Sequence, residues 1–140
     1  MRRENGADNE SISKYHIPKG VEVFEITGPF FFGAVHKFKD ALKLVEKPPK
    51  VLIIRMRQVP IIDATGIKTI EEVYKESKQR GTKVILSEVH SAQVMQELKN
   101  ARLLFAIGKA NVTITFEKSL KRSTELLQDI IKITGKPLAD

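Results

Sequence analysis

Cysteine is absent from the 140-residue chain. That excludes a disulfide framework, thiolate zinc sites, iron–sulfur ligation and a cysteine nucleophile together, and it sits easily with a cytoplasmic address. Tryptophan is absent too, and aromatic residues are only 6% of the chain, seven Phe and two Tyr. Most of the Phe stand among apolar neighbours, which makes a poor platform for stacking nucleic-acid bases. Long apolar runs are also missing. The longest, Val51–Ile54 and Leu103–Ile107, stop at Arg55 and Gly108, far short of the roughly 18 residues that a membrane-spanning helix requires. The opening MRRENGADNE has no apolar segment and is not expected to be a secretory signal.

What is present is ordinary for one globular domain: 41% hydrophobic and 29% charged residues, at a length sufficient to bury a core unaided. The formal net charge is +7, which raises the question of a nucleic-acid partner. The excess is one charge in residues 1–20, one in 21–50, two in 51–90 and three in 91–140. It is spread along the chain rather than gathered into a stripe, so a mildly basic solvated surface is expected and no nucleic-acid partner. Such a surface is attracted to an anionic inner leaflet.

Residues 1–14 are polar and aperiodic, and read as a flexible arm or linker. VEVFEIT (21–27) reads as a strand, with Glu22 and Glu25 on a partly wet side, and Gly28-Pro29 breaks it. Val35, Phe38, Ala41, Leu42 and Val45 recur at helical spacing until Lys47-Pro48-Pro49-Lys50, where proline stops the helix. Val51–Ile54 is a continuous apolar run, the pattern of a strand buried on both faces. After a loop over 58–63, a helix from Thr65 sets Ile67, Ile70, Val73, Tyr74 and Ser77 on one face and ends at Gly81. Lys83–Ser87 reads as a strand, and Ser91 as the N-cap of a helix that turns Val94, Met95, Leu98 and Ala101 inward. Val112, Ile114 and Phe116 alternate as a shorter strand. A last helix over about 117–133 uses Leu120, Leu127, Ile130 and Ile131, and Gly135-Lys136-Pro137 terminates it. Four strands alternating with four helices predict an α/β sandwich with a largely parallel sheet. The domain is expected over 15–134, with 135–140 as a tail.

Catalytic patterns are scarce. His16, His36 and His90 have no metal-ligand spacing on one element. There is no Walker loop, no G-x-G-x-x-G and no G-x-S-x-G. Glu22/Glu25 and Glu71-Glu72 fall on surface faces, and nothing marks either as a catalytic dyad. The chain is therefore expected to be no enzyme, with no catalytic residue, no metal site and no cofactor. One segment stands apart: Val59-Pro60-Ile61-Ile62-Asp63-Ala64-Thr65-Gly66 follows the most buried strand and opens an amphipathic helix. That is the C-terminal edge of the sheet, where α/β folds place functional groups. Helix N-terminal N–H groups favour an anion there, and a phosphate on Thr65 would meet both that positive end and the Asp63 carboxylate. A nucleotide near Thr65 is conceivable on the same grounds. The plainer alternative is that Asp63 or Thr65 is simply the N-cap, worth about 1 kcal/mol.

The IIDATGIKTI segment resembles the signature loop and helix of STAS domains (sulfate transporter and anti-sigma factor antagonist). VEVFEITGPFFFGA resembles the first strand and turn of the STAS domain of bacterial SulP-type anion transporters, and LSEVHSAQVMQEL followed by IGKANV matches that branch in order and spacing. The likeness covers about residues 15–133. The GPFFFGA turn is its most branch-specific part.

The resemblance implies a mixed, mostly parallel four- to five-stranded sheet packed with about four helices, and a regulatory, non-catalytic binding domain at the cytoplasmic face of the inner membrane. Its implied partners are the transmembrane domain of the same transporter, a second copy in a homodimer and a cytosolic regulatory protein. Asp63, Thr65 and Gly66 form the implied regulatory loop, exposed at the helix start. In the anti-sigma antagonist branch a serine at the Thr65 position is phosphorylated. Ala64 replaces the serine before it, which departs from that branch and fits the transporter one. A stand-alone antagonist switched at Thr65 is the alternative. Phe30, Phe31 and Phe32 are candidates for contact with the membrane portion or a second copy. If the stretch is extended, Phe30 and Phe32 share one face and Phe31 takes the other, with Phe31 and Phe32 expected in the core.

Overall fold

Strands β2 (Val21–Thr27), β3 (Val51–Gln58), β4 (Lys83–Ser87) and β5 (Val112–Thr113) lie side by side in chain order and run parallel. A two-residue strand β1 (Arg2–Arg3) pairs antiparallel with β2 at the edge. The computed structural model describes that strand and residues 15–135. The rest of the expected arm, and the tail beyond Gly135, lie outside the described residues. Helices α1 (Phe32–Lys43), α2 (Ala64–Arg80), α3 (Ala92–Asn100), α4 (Leu103–Ile107) and α5 (Phe116–Thr134) occupy the connections and the C-terminal side. The α/β fold with a mixed, mostly parallel sheet is as the sequence predicts.

Alternation along the strands builds two cores. Leu52, Ile54 and Met56 of β3 join Phe24, Ile26, Val84 and Leu86 beneath the buried side chains of α1–α4. There Phe38 stands edge-on to Phe24 and Phe30, with ring centroids 6.5 and 5.8 Å apart. Such pairs contribute about 0.5–1.5 kcal/mol each beyond their burial. Val51 and Ile53 face the other way and meet Val21, Val23, Ile85 and the α5 residues Phe116, Leu126 and Leu127. Helices cover both faces, so the first half of β3 has no wet side, and Val51–Ile54 is apolar without a break.

The same alternation carries charge further along. β3 does not stop at Arg55 but continues to Gln58. Arg55 is fully buried; its Nε and Nη2 donate to the Glu88 carboxylate at 2.7 and 2.8 Å, and its guanidinium lies 4.1 Å from the Phe116 ring centroid. Arg57 Nε donates to Glu25 Oε2 at 2.6 Å, and Gln58 Nε2 reaches the same oxygen at 3.1 Å. Glu25 is therefore buried, not on a wet side of β2. The α5 face of the sheet is apolar at the start of the strands and ion-paired at their ends.

Other boundaries shift for local reasons. Only Val112–Thr113 pairs with β4. Thr115 caps α5 by accepting the Lys118 N–H at 3.1 Å, so Phe116 enters a helix instead of ending a strand, and Ile114 is left exposed. Within α5 the core is made by Phe116, Leu126 and Leu127, with Leu120 half-buried against them, while Ile131 is exposed. Leu103–Ile107 is a short helix of its own.

Candidate functional site

The connections leaving the C-terminal ends of β2, β3 and β4 are stitched into one platform. Gly28 takes a positive φ of 86°, a backbone region open to glycine at little cost, and its N–H donates to Gln58 O at 2.9 Å. The Phe30 N–H then donates to Ile61 O at 3.0 Å, and Phe30 bridges Ile62 in parallel. From the other side, Ser91 Oγ donates to Pro60 O at 2.8 Å. The Gln93 side-chain amide pairs with both backbone groups of Ile62, accepting from its N–H and donating to its carbonyl at 2.9 Å each. Ser91 also caps α3 through the Val94 N–H, as the sequence predicts. Gln93 carried no sequence signal, because a glutamine in the first turn of a helix has no pattern that announces a partner 31 residues away.

Asp63 is the N-cap of α2, its Oδ1 accepting the Gly66 N–H at 2.8 Å. This resolves the choice between Asp63 and Thr65. The Thr65 carbonyl accepts the Thr69 hydroxyl at 2.9 Å, whereas no hydrogen bond of the Thr65 hydroxyl itself is found among the described residues. Asp63 and Thr65 are half-buried, and Ala64 is exposed. Gly66 differs from expectation: it is buried, not part of an exposed loop. A Cβ there would lie 2.7 Å from Ile62 Cγ1 and 2.9 Å from Phe30 Cδ2, and closer still to the Phe30 carbonyl oxygen. Gly66 is where α2 presses against the β2–α1 turn.

That turn also separates the three phenylalanines. Phe30 is fully buried, so it is core and no contact surface, whereas Phe31 is 41% and Phe32 66% exposed. They do not alternate as in a strand, because Phe32 already begins α1. With exposed Ile61 they leave apolar surface at the rim of the platform. His36 stands edge-on to the Phe32 ring at 4.7 Å, His90 Nε2 lies 3.0 Å from Ile114 O, and His16 is exposed. Among the described residues no three His, Asp or Glu side chains gather as metal ligands. Glu71 and Glu72 pair with Lys75 and Lys39 at 3.6 and 3.4 Å.

A half-buried carboxylate on a helix N-terminus gives a testable magnitude. Asp63→Ala lowers the unfolding free energy by about 1 kcal/mol, and Asp63→Asn by less, measured by urea denaturation. A loss several times larger would show that the carboxylate holds more than the cap.

The STAS domain family model matches residues 13–121. The chain is similar to a sulfate transporter family protein from Wolinella succinogenes, with 38% identity, coverage of 87% of this chain and 99% of that one, and a TM-score of 0.80. It is also similar to the SulP transporter STAS domain from Vibrio cholerae, at 31% identity over 89% of this chain and 91% of that one, with a TM-score of 0.64. Among curated proteins it resembles the putative sulfate transporter YvdB of Bacillus subtilis, 29% identical over 90 residues. That match takes in 64% of this chain but only 17% of the relative's length.

Proposed function

Because the chain belongs to the STAS domain family, we propose that it serves as the cytoplasmic, non-catalytic regulatory and interaction domain of a SulP-type sulfate or anion transporter, without a cofactor. The observation that carries this reading is the match to nearly the whole of a solved sulfate transporter family protein at 38% identity. The platform supports it. The Gly28–Gly33 turn, the branch-specific part of the sequence, is hydrogen-bonded to the loop that carries Asp63 and Thr65. A change at Thr65 is therefore felt one loop away, where Phe31 and Phe32 face outward. In this reading that rim meets the transmembrane domain or a second copy, and Thr65 is the modifiable handle. The antagonist reading has no comparable support, since the relatives named above are all described as sulfate or SulP transporters.

The test is anion uptake by cells carrying the full-length protein. Thr65→Asp, which sets a second negative charge beside Asp63, changes the uptake rate at constant membrane abundance, while the purified 140-residue chain keeps its cooperative melt. Unchanged uptake removes Thr65 from regulation. Loss of the folded domain instead reduces the position to a structural role.

A further inference from the structure

A second surface lies away from this platform, around α4. Leu103 and Ile107 of α4 are buried, and the Tyr74 hydroxyl of α2 donates to Ala106 O at 2.7 Å. The helix is thus pinned, and Phe105, on its opposite side, projects outward at 89% exposure, more than any other large apolar residue described. Phe105 and Leu104 line a shallow groove whose remaining members are Lys99, Arg102 and Lys109. A second groove on the other flank of α4, near the start of β4, adds Lys78 and Lys83. Neither groove contains a carboxylate. Among the described residues none of these five cations forms a salt bridge, whereas Lys39, Lys43, Lys75, Arg55, Arg57 and Arg122 all do.

We propose that α4 and its flanks dock onto an anionic lipid bilayer, with Phe105 seated at headgroup level and Lys99, Arg102 and Lys109 on lipid phosphates. An aromatic ring ringed by cations on long flexible stems is the chemistry of interfacial attachment. A fluid surface lets its charges gather under the lysines. A protein partner would need a fixed pocket for the ring and carboxylates placed to match each cation. The inference stands on this surface alone and does not rest on the transporter reading.

The experiment is co-sedimentation of the 140-residue chain with vesicles of one-third phosphatidylglycerol in phosphatidylcholine, against phosphatidylcholine alone. Binding is expected only to the anionic vesicles. Phe105→Ser weakens it about tenfold, the loss of one inserted aromatic side chain. Lys99→Glu with Lys109→Glu weakens it by about fivefold or more for each charge. The matched reversal Lys118→Glu with Lys121→Glu, on exposed positions of α5, has a much smaller effect. All substituted residues are exposed, and a circular dichroism melt confirms each variant folded. Absence of binding by the unaltered chain, binding by Phe105→Ser equal to it, or equal losses from the two double reversals would overturn the proposal, the last showing that net charge alone is at work.

Discussion

Glu88→Ala lowers the stability of the domain by about 3–5 kcal/mol, the usual consequence of removing one partner from a buried ion pair. Arg55 is fully buried, and the Glu88 carboxylate accepts from its Nε and Nη2 and from Ser87 Oγ. Alanine takes from that buried guanidinium the carboxylate that receives two of its N–H groups. The attraction within the pair is not itself the stabilising quantity, since desolvating two ions costs about as much as their contact returns. Arg55→Met combined with Glu88→Leu is therefore expected to cost well below the sum of the two single changes, a non-additivity of about 1–3 kcal/mol. Urea denaturation of the four proteins measures it. Additive losses would mean that the two side chains act separately. The backbone raises the stakes at Glu88, which holds a φ of 62°, a region that costs a non-glycine residue about 1–3 kcal/mol. It is kept there by the ion pair and by its N–H donating to Thr113 O at 2.7 Å. Three residues on, Ser91 grips Pro60, so loosening Glu88 also loosens the platform.

Gly66→Ala is the second large effect, with an expected loss of about 2 kcal/mol. Two terms oppose each other. Alanine in place of glycine favours a helix by about 1 kcal/mol, but the added methyl meets the Phe30 carbonyl and two buried side chains closer than van der Waals contact allows. Backbone cannot give way as a side-chain tip can, and overpacking of this kind costs about 1–3 kcal/mol or more. The clash wins. Gly33→Ala supplies the contrast: a Cβ there has nothing within 4 Å, so stability is unchanged or slightly raised. If Gly66→Ala proved as harmless as Gly33→Ala, the close contact between α2 and the β2–α1 turn would be wrong.

These two residues also mark how far the sequence could be read. Local rules placed Ser91 and located the cap of α2 at Asp63 or Thr65, because capping acts over three residues. Val51–Ile54 read as a doubly buried strand because a run of apolar residues between turns has few other uses. The Arg55–Glu88 pair spans 33 residues, and nothing local distinguishes a buried arginine from one that ends a strand. Glu25 was misplaced for the same reason, its partner Arg57 lying 32 residues on. In the candidate site Asp63 and Thr65 were legible as a helix start. The burial of Gly66 was not, since it depends on where a different loop passes. Phe30, Phe31 and Phe32 look alike in sequence, and only the onset of α1 at Phe32 sends one inward and two outward.

The most direct test of the transporter reading is the size and location of the native polypeptide. An antibody raised against this domain is applied to membrane and soluble fractions of the source cells. A band several times larger than the 15.8 kDa of this chain, confined to the membrane fraction, is the predicted result. A soluble band at 15.8 kDa would contradict it and make the protein a stand-alone regulator.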